Sequence, residues 1–189
     1  MIISLTCDGS CWPNPGPGGW ACVFRANGVS KSLYGFDPKS TNNRMELTAA
    51  IRGLEHLKRE CQVQLFCDSE YVVKGITQWI RKWKRNGWIT GDFRNSAKNT
   101  PGYSAKEVKN RELWERLDIA RSRHSINWVH VKGHASHQDN LLCDQIARRA
   151  GREQIQGTAV LSNINLDNIV EEAKKSEDSL IRTITFEDI

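Results

Sequence analysis

The run Asp8-Gly9-Ser10-Cys11-Trp12-Pro13-Asn14-Pro15-Gly16-Pro17-Gly18-Gly19 decides the fold. An apolar run, Ile2-Ile3-Ser4-Leu5-Thr6-Cys7, precedes it, and a second, Trp20-Ala21-Cys22-Val23-Phe24, follows. This reads as a strand, a tight Gly/Pro connection and an antiparallel partner strand. The first strand thereby delivers a carboxylate, Asp8, to a loop-lined surface. Working outward, strands are expected over 2–8, 20–26 and 30–36, with Asn27-Gly28 as a hairpin signal between the last two. Helical spacing of Leu47, Ala50, Ile51 and Leu54 marks a helix over 43–59. Val63-Gln64-Leu65-Phe66-Cys67 is a buried-type strand ending in Asp68. Short helices are expected over 70–75 and 77–86, the second stopped by Gly87, and then a loop over 89–104. A helix over 107–122, a strand over 126–131 and a helix over 138–150, which Gly151 can end, complete the pattern. The order predicts an α/β domain with a five-stranded mixed sheet flanked by helices. Three antiparallel strands form a meander, and parallel strands then enter by crossovers.

The 189 residues suit one domain with an appendage. A hydrophobic share of 39% and a charged share of 26% are those of a water-soluble globular chain. No apolar run approaches the roughly 20 residues that span a bilayer, so no membrane partner is expected. Met1 leads straight into the first strand, so no targeting leader is expected and the location predicted is cytoplasmic. Cys7, Cys11, Cys22, Cys61, Cys67 and Cys143 form no C-x-x-C pair, which argues for reduced core thiols rather than zinc ligands.

The net charge of +5 is unevenly spread: residues 152–189 carry four basic and eight acidic side chains, which leaves +9 for residues 1–151. Between Lys74 and Arg111, ten Lys/Arg face only Asp92 and Glu107. A basic body suits a polyanionic partner, although a charge run by itself reads as a solvated face. The acidic extension over 152–189 also carries Leu166, Ile169, Val170 and Ala173 at helical spacing and a strand-like stretch over 180–186. An ordered appendage is therefore expected there.

Asp8 and Asp68 stand at predicted strand ends, Glu46 in the first turn of the first long helix, and Asp144 inside the last helix. Hard divalent cations take carboxylate oxygens, and a pair of them can clamp the attacking and leaving oxygens of a phosphodiester. Each acid also has a local reading. Asp8 can accept from its glycine-rich surroundings, Asn43-x-x-Glu46 resembles a capping box, Asp68-Ser69 can cap a helix, and Asp144 can be solvated. His134, in the stretch Val131-Lys132-Gly133-His134-Ala135-Ser136-His137, reads as a proton shuttle on a loop. A lone histidine is more often structural, and that applies equally to His56, His124, His130 and His137.

The combination resembles type 1 ribonuclease H of the bacterial kind over residues 2–150. The matching segments are Thr6-Cys7-Asp8-Gly9-Ser10-Cys11, Asn14-Pro15-Gly16-Pro17-Gly18-Gly19, Thr41-Asn42-Asn43-Arg44-Met45-Glu46, Cys67-Asp68-Ser69, Gly75-Ile76-Thr77-Gln78-Trp79-Ile80, Trp128-Val129-His130-Val131-Lys132-Gly133-His134 and Cys143-Asp144. The resemblance implies an endonuclease that hydrolyses the RNA strand of RNA–DNA hybrids and leaves 5′-phosphate and 3′-hydroxyl ends. It implies Asp8, Glu46, Asp68 and Asp144 as ligands of two Mg²⁺ ions, with Mn²⁺ a possible substitute. One ion would activate water and the other stabilise the leaving 3′-oxygen, while His134 would assist proton transfer or product release.

For the substrate, the resemblance implies contacts from Cys11, Asn14, Asn42 and Asn43 near the minor groove. It implies a DNA-phosphate pocket at Lys39, Thr41 and Asn110, and a basic handle where Trp79, Trp83 and Trp88 alternate with Arg81, Lys82, Lys84 and Arg85. Trp79 and Trp83 are one helical turn apart, so a packed aromatic face is an equally good reading. Lys39 stands where the family pattern has arginine, and Glu70, facing the RNA, where glutamine is common. The connection between Trp88 and Trp114 is longer than in that pattern. A binding protein that has lost catalysis is opposed by the presence of all four acids. An integrase or junction nuclease of the same fold is opposed by Asn42-Asn43 and the handle. A monomer is expected.

Overall fold

The computed structural model describes residues 2–90, 106–132 and 137–161. His134 and the elements expected over 166–186 lie outside them. Three long strands open the chain: β1 (Ile2–Cys11), β2 (Gly16–Ala26) and β3 (Val29–Ser40). They form an antiparallel meander with Ala26 opposite Val29 across the Asn27-Gly28 turn. Both turn residues have positive φ, 51° and 74°, which is why an Asn-Gly pair occupies them. Helix α1 (Asn42–His56) follows, and then β4 (Gln62–Cys67), parallel to β1. Helix α2 (Glu70–Lys74) passes through a π-helical turn (Gly75–Trp79) into α3 (Ile80–Arg85). Two short strands, β5 (Ile89–Thr90) and β6 (Lys106–Glu107), pair with one another. Helix α4 (Arg111–Ser122), strand β7 (Ser125–His130) parallel to β4, helix α5 (Gln138–Glu153) and β8 (Gly157–Val160) complete the fold.

The main sheet has the order β7-β4-β1-β2-β3-β8. Among the described residues it therefore has six strands rather than the five expected. The sixth is β8, which pairs antiparallel with β3 from Tyr34 to Lys31. Four residues carry too little alternation to announce a strand; the open edge of β3 gives β8 its partner. Helix α5 also continues past Gly151 to Glu153, and the left-handed residue that ends it is Gln154. The helix expected from 107 begins at Arg111, because Lys106 and Glu107 are taken up in β6.

Helices cover both faces. Ile3, Leu5 and Cys7 of β1 join Leu47, Ile51 and Leu54 of α1, together with Trp114 and Leu117 of α4, in the larger core. Ala21, Val23 and Tyr34 meet Leu142, Cys143, Ala147 and Ala150 of α5 on the other face. The six cysteines are free thiols, and all but Cys61 are buried.

Two glycines set the spacing of these layers. They were expected within a connection, but Gly9 lies in β1 and Gly19 in β2. A Cβ on Gly9 would lie 2.2 Å from the backbone carbon of Met45 in α1, and one on Gly19 would lie 2.0 Å from the carbonyl oxygen of Ala147 in α5. Only hydrogen at these positions lets both helices reach the sheet.

Candidate active site

Asp8 is not at the end of its strand. β1 runs on to Cys11 against β2, whereas its parallel pairing with β4 stops at Thr6 and Phe66. The acid thus stands where β1 outruns its neighbour, with no strand among the described residues beside it on that edge. Strand alternation turns it away from Leu5 and Cys7, towards α5. Asp68 follows the last residue of β4, Asp144 lies within α5, and Glu46 lies in the second turn of α1 rather than its first.

Electrostatics join the four. Asp8, 7% exposed, has its pKa pushed up to about 8, chiefly by burial and then by the negative charges of Asp68, Asp144 and Glu46, against a lowering hydrogen bond from the Gly9 N–H. Burial likewise lifts Glu46 to about 7, opposed by its bond from Ser69, with the charge of Asp68 raising it further.

Each carboxylate also has a local donor. The Gly9 N–H donates to Asp8 Oδ1 at 2.7 Å. Asn42 Nδ2 donates to Glu46 Oε1 at 2.8 Å, and the Ser69 hydroxyl donates to Glu46 Oε2. Asn140 Nδ2 donates to Asp68 Oδ2 at 3.0 Å, and Arg148 pairs with Asp144 at 2.7 Å. Ser69 also caps α2 by accepting from the Val72 N–H, so the helix cap is Ser69, not Asp68. Thr41 caps α1 without a side-chain bond, so no capping box binds Glu46.

Among the described residues, no three His, Cys, Asp or Glu side chains stand at metal-ligand spacing. The donor chemistry nonetheless fits a hard divalent cation: four oxygen acids on one surface, two of them protonated at pH values where carboxylates normally ionise. Beside Asp68, the buried Asn140 Oδ1 has no hydrogen-bond partner among the described residues.

Asn140 and Ser69 are the site residues that sequence reasoning did not assign. Their signal is weak, since polar residues at helix starts ordinarily read as caps. Four histidines fall to structural roles. The His124 and His130 rings bond the carbonyls of Leu54 and Asp68, while His137 stacks on Phe66 and His56 on Phe24.

Around the acids, Asn42 ties the β1–β2 connection to α1. Its Oδ1 accepts from the Cys11 N–H and its own N–H donates to Asn14 Oδ1, each at 3.2 Å. Asn43 and Lys39 are exposed, and Thr41 is half-buried. Asn110 is held by Arg44 and by the Tyr71 hydroxyl. Glu70 is exposed and paired with Lys74 at 2.7 Å. In the handle the packing reading holds for most of the aromatics. Trp83 contacts Trp79, Trp88 and the fully buried Trp114, with ring centroids 5.2 to 6.4 Å apart. Lys84 is engaged by Asp118, which also takes Arg121, whereas Arg81, Lys82 and Arg85 point into solvent.

The raised acids make metal-free stability depend on pH. Between the ordinary carboxylate range and about pH 8, the folded state holds more protons than the unfolded one. Stability must then fall as pH rises through that window. In EDTA, the Tm is expected to drop between pH 5 and 8.5, and Asp8→Asn should flatten the profile. A profile rising with pH would contradict it.

A mixed sheet whose central strand outruns a parallel neighbour on one edge, with helices on both faces, is the ribonuclease H fold. The same architecture is found in LC9-RNase H1, described as a type 1 RNase H with the type 2 active-site motif. The likeness has a TM-score of 0.69 and 26% identity, covering 89% of this chain and 80% of that one. LC11-RNase H1, solved in complex with an RNA/DNA hybrid, shares the fold at a TM-score of 0.56 and 21% identity, over 80% of this chain and 97% of that one.

The RNase H family model matches residues 2–152, and the chain belongs to the ribonuclease H family. It is 53% identical over 151 residues to the ribonuclease H of Marinobacter nauticus, covering 80% of this chain and 95% of that protein. It is 52% identical over 147 residues to that of Bradyrhizobium sp., covering 78% and 88%.

Proposed function

We propose that this enzyme hydrolyses the RNA strand of RNA–DNA hybrids as an endonuclease, leaving 5′-phosphate and 3′-hydroxyl ends. The observation that carries this is the match to the ribonuclease H family over residues 2–152, with Asp8, Glu46, Asp68 and Asp144 all present and Asp8 at the open edge of β1. The complex of LC11-RNase H1 with an RNA/DNA hybrid supports the substrate class. Asp8, Glu46, Asp68 and Asp144 would hold two Mg²⁺ ions with substrate present, or Mn²⁺ in their place. When bound, these ions would supply Lewis-acid charge at the scissile phosphodiester.

The chain's own groups do the rest. The Gly9 N–H, Asn42, Ser69 and Asn140 orient the acids. Cys11, Asn14, Asn42 and Asn43 present backbone and amide groups to 2′-hydroxyls in the wide minor groove of a hybrid. Glu70 faces the RNA with its charge offset by Lys74. Lys39, Thr41 and Asn110 take a DNA-strand phosphate, Lys39 as a point charge rather than a bidentate fork. His134 moves a proton or helps product leave. Trp79, exposed at the rim of the aromatic cluster, joins Lys82 and Arg85 at the phosphates, while Trp83 supports it from within and Lys84 is set back by its pairing with Asp118. Every residue given a chemical role lies within the 1–151 unit, so the 152–189 extension is an appendage to the chemistry. A monomer suffices, since one chain supplies all these groups, and the cytoplasm is the compartment for which its free thiols are suited.

The decisive experiment offers end-labelled RNA–DNA, RNA–RNA and DNA–DNA duplexes with Mg²⁺ and with EDTA. Cutting of the RNA strand in the hybrid alone, dependent on Mg²⁺, is the expected result. Cutting of DNA–DNA, or activity in EDTA, would overturn the proposal.

Affinity follows from the handle. Replacing Lys82 and Arg85 with alanine should flatten the dependence of log K on log salt by roughly 0.7–0.9 per lost phosphate contact. Lys84→Ala should change it less, because Asp118 already holds that ammonium. Binding isotherms from low to moderate salt read both; equal slopes in all variants would place these side chains off the hybrid.

A further inference from the structure

Trp12 stands apart from the other tryptophans. It is 86% exposed, whereas Trp20, Trp88 and Trp114 are buried, Trp83 and Trp128 are half-buried and Trp79 is 36% exposed. A tryptophan carries a large apolar area, and single exposed apolar residues are common, so what sets Trp12 apart is that its exposure is held in place beside the acids.

Its exposure does not come from a loose loop. The Trp12 N–H donates to the Pro17 carbonyl at 3.2 Å. Cys11 Sγ lies 3.3 Å from the carbonyls of Pro13 and Gly16. Asn42 binds the connection on both sides of Trp12, at Cys11 and at Asn14. The same Asn42 donates to Glu46 at 2.8 Å. The loop that displays the indole is therefore fixed to the helix that presents a site carboxylate.

We propose that Trp12 is a substrate-contacting residue whose indole lies against the sugar edge of the hybrid's minor groove. This rests on the reading that the site takes an RNA–DNA hybrid. A wide, shallow minor groove exposes ribose carbon faces beside the 2′-hydroxyls, and a flat apolar side chain between Cys11 and Asn14 meets them while its neighbours make the polar contacts. The contact is apolar, so it adds affinity without adding a phosphate contact. A protein partner is the weaker fit, because the indole is flanked by Cys11 on one side and Pro13-Asn14-Pro15 on the other, and Asn42 links this connection to the site carboxylate Glu46.

The test measures Kd for a labelled hybrid by anisotropy in an Asp8→Asn background. Trp12→Ala should weaken binding roughly 5- to 30-fold, the lower part of the range for lost aromatic contacts to nucleic acid. Trp12→Phe should retain most of the affinity, the salt slope should match the parent's, and the Tm should not move. Hybrid binding by Trp12→Ala equal to the parent's, or a flattened salt slope, or a lowered Tm, would overturn the inference. Cleavage by the wild-type protein separates the two readings. Active wild type with indifferent Trp12→Ala sinks only this inference, whereas a wild type inert on hybrids sinks the function itself.

Discussion

Asp8→Asn and Asp68→Asn are each expected to reduce hybrid cleavage at least roughly 10³-fold while leaving the fold intact. The loss should exceed the 10–100-fold typical of removing a group that merely orients a metal ligand. Asparagine keeps the shape of aspartate and removes its charge. At Asp8, raised chiefly by burial and then by its acidic neighbours, that loss removes a buried charge from the metal-free protein and should raise its Tm above wild type in EDTA at pH values above about 8, where the aspartate would ionise. Asn140→Ala provides the contrast: it leaves all four acids in place and frees Asp68 from its 3.0 Å bond, so it belongs in the milder range. Cleavage rates with Mg²⁺ as the sole metal, together with melting curves, check this. Wild-type rates for either aspartate variant would show that the acids do not form the reaction centre.

Gly19→Ala is expected to cost about 3 kcal/mol of stability, the upper end of ordinary overpacking, and most of the activity. The new methyl would meet the Ala147 carbonyl at 2.0 Å and the Gly151 nitrogen at 2.4 Å. Both are backbone atoms, so no side-chain rotation relieves the clash and α5 must move outward. That helix carries Asn140 and Asp144, and its first turn is anchored to β2 by the Arg25–Asp139 pair, with bonds of 2.6 and 2.7 Å. Lifting α5 therefore withdraws one site acid and the amide that orients another. Denaturant unfolding gives the stability change and hybrid cleavage the activity. A Gly19→Ala protein with wild-type stability and rate would mean that the glycine does not set the height of α5.

Local pattern determined a good deal of this protein. The apolar runs of β1, β2 and β4, the apolar spacing of α1 and the Asn27-Gly28 turn are short-range signals, and each reappears in the structure. The four acids stood out as candidates because each lies in a distinctive local segment, and the contact of Trp79 with Trp83 was legible because one helical turn separates them. What depends on partners distant in the chain was not legible. β8 exists because β3 has an open edge, and β5 and β6 pair across the intervening residues 91–105. Gly9 and Gly19 read as turn residues, since their use as spacers shows only when α1 and α5 lie against them. Whether Trp83 touches nucleic acid or packs on Trp114, and whether Lys84 is free or held by Asp118, is decided by α4, whose place beside α3 no periodicity records. Sequence supplied the acids and the order of the elements. Tertiary packing decided their mutual distance, and with it the repulsion that burial alone would not produce at Asp8.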